Sequence, residues 1–303
     1  MKKTTAIVAA LAVSLFCANA FAQAPEKESY LFNHWSVGVG LSLPHGLNVQ
    51  AAGTILPNLQ VRVVYNNMFP YIGIANAVLK NNPNVGSINP FVTSIAVPGG
   101  GYHQNGVNID KIDIEGRLKS SELNFLIDFL PSEISSIRLT AGVVLDLSPD
   151  MVTITGKPVS NDGSPALQPS DCGNVEIAGI TTDLQGNVNF RASYGLKTVR
   201  PYLGFGFGRP VDPSKRVTVN FDLGVAYTGG IHLYSQSYLL NPQKPAEVEL
   251  NEAWINDPNN KVGNQTLKEA MGTSADSFIK YVGMANSIPV MPYLRFTINV
   301  RLF

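Results

Sequence analysis

The chain has 303 residues, 45% of them hydrophobic and 15% charged, with 22 basic and 22 acidic side chains and two cysteines. That balance offers no basic stripe for nucleic acid, and with one cysteine in the leader the remainder can close no internal disulfide. No apolar run after the leader is long enough for a transmembrane helix.

The leader comes first. Met1-Lys2-Lys3 precedes an apolar run from Ala6 to Phe16, then small residues at Ala18, Ala20 and Ala22. A basic start, a short apolar stretch and an A-x-A-like site make a secretory signal peptide. It is assigned to residues 1–22, with cleavage after Ala20 nearly as good. Cys17 is discarded with it, because bulky Phe16 does not suit lipoprotein processing. Losing Lys2 and Lys3 takes the 22 basic residues to 20 against 22 acidic, a formal charge of about −2. Residues 23–33 read as a short periplasmic segment and 34–303 as one domain.

Eight segments then alternate with a period of two. The first, 35–43, sets Trp35, Val37, Val39, Leu41 and Leu43 against Ser36, Gly38, Gly40 and Ser42. Pro44-His45-Gly46 turns into 47–55, with Leu47, Val49, Ala51 and Ile55 against Asn48, Gln50 and Thr54. Leu56-Pro57-Asn58 leads to 59–67, where Leu59, Val61, Val63 and Tyr65 oppose Gln60, Arg62 and Asn66. In 121–130, Leu123, Phe125, Ile127 and Phe129 oppose Glu122, Asn124 and Asp128. In 136–147, Ile137, Leu139, Val143 and Leu145 oppose Arg138, Thr140, Gly142 and Asp146. In 199–208, Leu203, Phe205 and Phe207 face away from Tyr202, Gly204, Gly206 and Gly208. In 216–228, Val217 to Tyr227 alternate with Thr218, Asn220, Asp222 and Gly224. The last, 291–303, sets Leu294, Phe296, Ile298, Val300 and Leu302 against Tyr293, Arg295, Thr297, Asn299 and Arg301.

Alternation suits a sandwich as well as a barrel. Length decides: these segments match the roughly 9–11 residues needed to cross a bilayer at a tilt, where soluble strands average about 5–6. Connections alternate short and long, and aromatics (Trp35, Phe129, Tyr65, Tyr227) mark the two edges, as in outer-membrane barrels. An even count leaves both termini in the periplasm. The expected fold is all-β: an eight-stranded antiparallel transmembrane β-barrel with long extracellular loops at 68–120, 148–198 and 229–289. A short helical segment near 266–285, broken at Gly272, precedes the last strand. Lys111–Leu118 and Val175–Phe190 read as strand extensions above the membrane.

The minority face is polar. In an eight-stranded barrel the interior is only wide enough for side chains, so its charges must pair. Arg62, Arg138, Arg295 and Arg301 balance Glu122, Asp128, Asp146 and Asp222, with glycines leaving room for the long arginines. This predicts a plugged lumen held by those eight side chains. Pairing about a turn centred near residue 133 sets Asp128 opposite Arg138, as a direct or diagonal salt bridge. A two-residue slip keeps the face but brings Arg138 toward Arg62, and on charge alone that is the disfavoured register.

"RPYLGFGFGRPVDPSKRVTVNFDLGVAYTGG", preceded by "GNVNF", resembles a family of small, poorly characterised outer-membrane β-barrels of Gram-negative bacteria. "VGVGLSLPHGLNVQAAGTILPNLQVRVVYNN" is similar to that family's first three strands. The resemblance covers 34–67, 121–147 and 186–228, and hardly the loops. It implies an OmpA- or OmpW-like eight-stranded barrel, and its motifs are structural. Terminal Phe303 resembles the signal read by the barrel assembly machinery. Its phase is shared with Arg301, Asn299 and Thr297, so either it sits off the lipid face at the periplasmic rim or a bulge resets the alternation.

Candidate sites are few. Gly204-Phe205-Gly206-Phe207-Gly208 lies inside a strand and opens no helix, which argues against a phosphate loop. Asp257 to Lys261 lacks the glycine of a calcium loop and reads as a solvated turn. His34, His45, His103 and His232 show no metal spacing. His232 with Ser235 and Ser237 imitates the His–Ser pair of barrel enzymes that deacylate lipid A, without an acid placed by sequence. Cys172 reads as a loop tip. No catalytic, cofactor or metal residue is assigned. The expectation is a non-enzymatic outer-membrane barrel with a structural or binding role at the surface. The alternatives are a narrow uptake channel for small or apolar solutes and a lipid A-modifying hydrolase. Expected partners are outer-membrane lipid and lipopolysaccharide, plus the assembly machinery.

Overall fold

The computed structural model describes residues 31–68, 91–97, 101–104, 107–132, 135–148, 150–168, 172, 176–177, 180–196, 198–236, 247–262 and 264–302. Eight strands pair in a closed antiparallel ring. They are β1 (Trp35–Leu43), β2 (Gly46–Leu56), β3 (Leu59–Asn67), β8 (Ser121–Phe129), β9 (Ile137–Asp146), β14 (Val199–Phe207), β15 (Val217–Tyr227) and β20 (Val290–Arg301). The last strand closes on the first, with Val37 opposite Val300 and Leu41 opposite Phe296. Closure leaves no unpaired edge in the wall, which the bilayer core requires. Phe303, whose phase was in question, lies outside the described residues.

The two faces of each strand separate cleanly. On β20, Leu294, Phe296, Ile298 and Val300 are exposed, while Tyr293, Arg295, Thr297 and Asn299 are wholly enclosed. Around the ring, Val39 and Leu203 are 61% and 65% exposed. A continuous apolar belt of this kind is not tolerated on a water-soluble monomer; it is the lipid face of a membrane barrel. No described helix is long and apolar enough to cross a membrane.

Above the ring the strands continue. β4 (Phe91–Ala96), β7 (Lys111–Leu118), β10 (Asp150–Val159), β13 (Val188–Tyr194), β16 (Ile231–Gln236) and β17 (Glu247–Glu249) form an open sheet in the order β17-β16-β13-β10-β7-β4. It extends β8, β9, β14 and β15. The β1–β2 connection is the short turn Pro44-His45, so no sheet rises there. β7 is the expected Lys111–Leu118 extension. The expected Val175–Phe190 extension is broken: β11 (Glu176–Ile177) pairs only with β12 (Ile180–Thr181), and the sheet strand starts at Val188. The Asp183 carboxylate accepts from the backbone N–H of Gln185 and Asn187 at 2.9 and 2.8 Å. That local turn competes with extended pairing. Two further ribbons are β5 (Tyr102–Gln104) with β6 (Val107–Ile109), and β18 (Lys261–Val262) with β19 (Gln265–Thr266).

Among the described residues three short helices complete the cap: α1 (Glu252–Asn256), α2 (Leu267–Met271) and α3 (Thr273–Ser287). Thr266 and Glu269 make a capping box at the start of α2, satisfying two otherwise orphaned donors. Gly272, at φ 54°, separates α2 from α3. Phe278 and Trp254 pack with Phe190, Leu233 and Leu250, covering one face of the sheet.

The β8–β9 register differs from the sequence expectation by two residues. Asp128 faces Thr140, so Arg138 lies diagonal to it. The disfavoured slip is the one adopted, and Arg138 does share its surroundings with Arg62. Two carboxylates lie between them, which removes the repulsion that charge counting on one hairpin implied.

Candidate functional site

The lumen is filled in successive layers. At the periplasmic end the turn at 208–216 folds into the mouth. Gln60 clasps Val211, its side-chain amide donating to the Val211 carbonyl at 2.6 Å and accepting its N–H at 3.2 Å. The Ser36 hydroxyl donates to the Pro210 carbonyl at 2.7 Å. Arg301 sits half-buried at this rim and donates to the carbonyls of Asp212, at 3.3 Å, and Pro213. Of the eight expected lumen charges, it holds backbone. Partial burial opposes ionisation of Asp212, but hydrogen bonds from the Ser214 hydroxyl and N–H, with Lys215 nearby, hold its carboxyl below the ordinary range.

Next come amides. Gln50 donates to Asn299 and, at 3.4 Å, to Asn220, while Thr297 donates to Asn48 at 3.2 Å. The ionic layer follows. Arg62 is bidentate to Asp222, at 2.9 Å for both contacts, and reaches Asp128 at 2.6 and 2.9 Å. Arg138 meets Asp222 at 2.5 Å and Asp128 at 3.4 Å. Thr140 donates to Asp128 at 2.6 Å. A Cβ built on Gly206 would lie 2.6 Å from the Arg138 guanidinium carbon, so only glycine leaves that arginine its place.

Above the ion tetrad lies an apolar layer that alternation did not suggest. Val64, Leu126, Val144 and Ala226 point inward and pack with Tyr202 and Tyr293. The two tyrosine rings meet edge to face at 5.5 Å. Their phase was present in the sequence, since each aliphatic lies two residues from an inward polar side chain. Apolar residue type alone had assigned them to no face.

The outer mouth holds a second ionic cluster. Glu122 accepts from Arg200 at 3.0 Å, Tyr293 at 2.8 Å and Asn66 at 2.6 Å. Arg200 also approaches Asp146, at 3.6 Å, and lies over the Tyr194 ring at 4.1 Å. Burial pushes the Tyr194 hydroxyl up to about 12. Sequence reading missed Arg200, although it stands in phase with Tyr202, Gly204 and Gly206. Arg295, between the two clusters, makes no ion pair among the described residues, in contrast to the expected pairing of all eight charges. The cause is its cross-strand neighbour Asp222, which is committed to Arg62 and Arg138.

In the cap, His232 does meet an acid: its Nδ1 lies 2.8 Å from Glu249. The serine that the sequence paired with it is not there, although Ser193 of β13 stands directly opposite His232, wholly enclosed. Ser235, an odd number of residues along β16, points to the opposite face of the sheet and its hydroxyl turns to the Val248 carbonyl at 3.5 Å. Ser237 lies outside the described residues. On the same face as His232, Arg191 bridges Asp150 at 2.7 Å and Glu247 at 2.5 Å. The Glu247 hydrogen bond is the main reason the Arg191 guanidinium is held above its usual range. Asp257 accepts from the Asn259 N–H at 2.9 Å, a local turn. Cys172 is a free thiol whose sulfur lies 3.4 Å from the Gln168 carbonyl.

No family model and no curated protein matches the chain. Among solved structures it is similar to CarO of Acinetobacter baumannii, at 16% identity over 90% of this chain and 99% of that one, with a TM-score of 0.37. CarO2 of the same organism gives 17% identity, 88% and 97% coverage, and 0.37. A major outer membrane protein from Thermus thermophilus gives 12%, 89% and 98%, and 0.34. At such TM-scores the likeness adds nothing to what strand pairing already establishes. Ring closure and the lipid-facing belt make this a β-barrel of the bacterial outer membrane.

Proposed function

We propose that this barrel acts at the cell surface, in a structural or binding role carried by its extracellular cap, and not as a pore. The filled lumen supports the reading. A folded-in periplasmic turn, an ion tetrad and an apolar layer lie in series along it. Moving a solute through would break a buried ion network, at a cost of about 3–5 kcal/mol for each stranded partner. A narrow uptake channel would need another exit, such as a gap in the wall, and the eight strands pair all the way round. A hydrolase would need an accessible nucleophile beside His232; Ser235 faces away, and Ser193, opposite His232 on β13, is wholly enclosed. The deciding experiment is reconstitution into planar bilayers. Silence, or brief small flickers, is the expected record; steady porin-scale conductance would overturn the proposal.

A further inference from the structure

The apolar belt continues beyond the last strand of the wall. Tyr281 and Met284 of α3, and Ile288 at its C-cap, are 69%, 52% and 48% exposed. Their spacing of i, i+3 and i+7 puts them on one helix face. The packed face is the opposite one, where Ala275, Phe278 and Ile279 join Ile255, Leu267 and Trp254. Single exposed apolar residues are ordinary, but a stripe that prolongs a larger apolar surface marks an interaction site. Ile288 is extended, at φ −88° and ψ 94°, so it falls in phase with Val290. Val290 is 39% exposed, pairs with Tyr227 at the outer rim and shares the lipid-facing phase of Leu294 and Phe296. From there α3 climbs beside the cap sheet. A Cβ added to Gly230 would strike the Asn286 carbonyl, and eight residues back Phe278 packs with Leu233. At about 1.5 Å per residue, Tyr281 stands roughly 10 Å above Ile288. A phospholipid headgroup layer adds only about 5–8 Å to each side of the hydrocarbon, too little to cover the stripe.

We propose that this stripe and the wall beneath it bind an acylated, phosphorylated disaccharide of the outer leaflet, the glycolipid anchor of lipopolysaccharide. Its acyl chains lie along Val225, Tyr227 and Val290, all exposed. Its sugars rest their C–H faces on Met284 and Tyr281, where an aromatic body with a polar tip suits the boundary between apolar surface and water. Lys280, the only base of α3, is exposed one turn from Met284 and pairs with a sugar phosphate. Asp276, the only acid of α3, lies a further turn from the membrane. The site deepens the cap-carried binding role proposed above and rests on it.

The full chain in detergent would be titrated with bisphosphorylated lipid A, its dephosphorylated form or phosphatidylethanolamine, and bound lipid counted by native mass spectrometry. Wild type should prefer lipid A to phosphatidylethanolamine, a comparison that needs no variant. Tyr281→Ser combined with Met284→Ser should weaken lipid A binding by about tenfold. Lys280→Gln should weaken it by roughly fivefold and leave the dephosphorylated form unaffected. All three side chains are exposed, and heat-modifiable migration on gels checks that the variants fold. Equal binding of the two lipids by wild type overturns the assignment, as does unchanged binding by the folded variants. A dimer that the double variant dissolves would also overturn it, by giving the stripe to a second copy of this chain. Steady porin-scale conductance is a separate failure, which ends the cap-carried role itself.

Discussion

Glu122 and Asp146 stand directly opposite each other across the β8–β9 pair, two carboxylates in a position where like charges repel, and Arg200 from β14 bridges them. Facing like charges destabilise a sheet. The barrel tolerates this pair because closure brings a third strand's guanidinium between them.

Arg200→Met should therefore be among the most damaging single substitutions in the lumen. It strands a fully buried Glu122 beside Asp146, for which about 3–5 kcal/mol is expected. Adding Glu122→Gln should recover part of that loss. Urea unfolding in detergent or lipid reads both values, and a cost for R200M below about 1 kcal/mol would remove the bridge from the account.

The tetrad makes a prediction of rank. Arg138 lies 2.5 Å from Asp222 and 3.4 Å from Asp128. In double-mutant cycles the Arg138–Asp222 coupling should exceed the Arg138–Asp128 coupling, both within roughly 0.5–3 kcal/mol. The reverse order would mean the register of this hairpin, or the path of Arg138, is wrong.

Glycines separate packing from propensity. A Cβ on Gly224 would collide with the Tyr202 hydroxyl and fall 2.8 Å from its ring carbon Cε2, so Gly224→Ala should cost about 1–3 kcal/mol by overpacking. Gly283, inside α3, has nothing within 4 Å of its added Cβ. Gly283→Ala should be neutral or stabilise by up to about 1 kcal/mol through helix propensity. Equal effects at the two sites would argue against a packed lumen.

Asp212 carries a pH signature. Its carboxyl titrates below an ordinary aspartate, so the ionised form favours the folded turn. The contribution is present above the unfolded value of about 3.9 and disappears as pH falls through the lower folded value. Ser214→Ala removes one hydrogen bond to that carboxylate and should raise the midpoint toward the ordinary value. Carboxyl titration by NMR in micelles checks it; an unchanged midpoint would assign the shift elsewhere.

The eight spans and the lipid face of each were legible in the chain because they are local. Period-two alternation repeats within about ten residues. The helical break at Gly272 was local too. Partnership was not. Arg62 meets Asp222 across 160 positions, and Gln50 meets Asn299 across 249. A slip of two residues keeps every side chain on its face and changes every partner, so alternation could place Asp128 and Arg138 in the lumen and still misplace their register. Only closure of β20 on β1 fixed which walls face each other. That same closure brought Arg200 to Glu122, stacked Val64, Leu126 and Val144 into a layer that residue type alone had assigned to no face, and enclosed Arg295 after its nearest carboxylate had been taken.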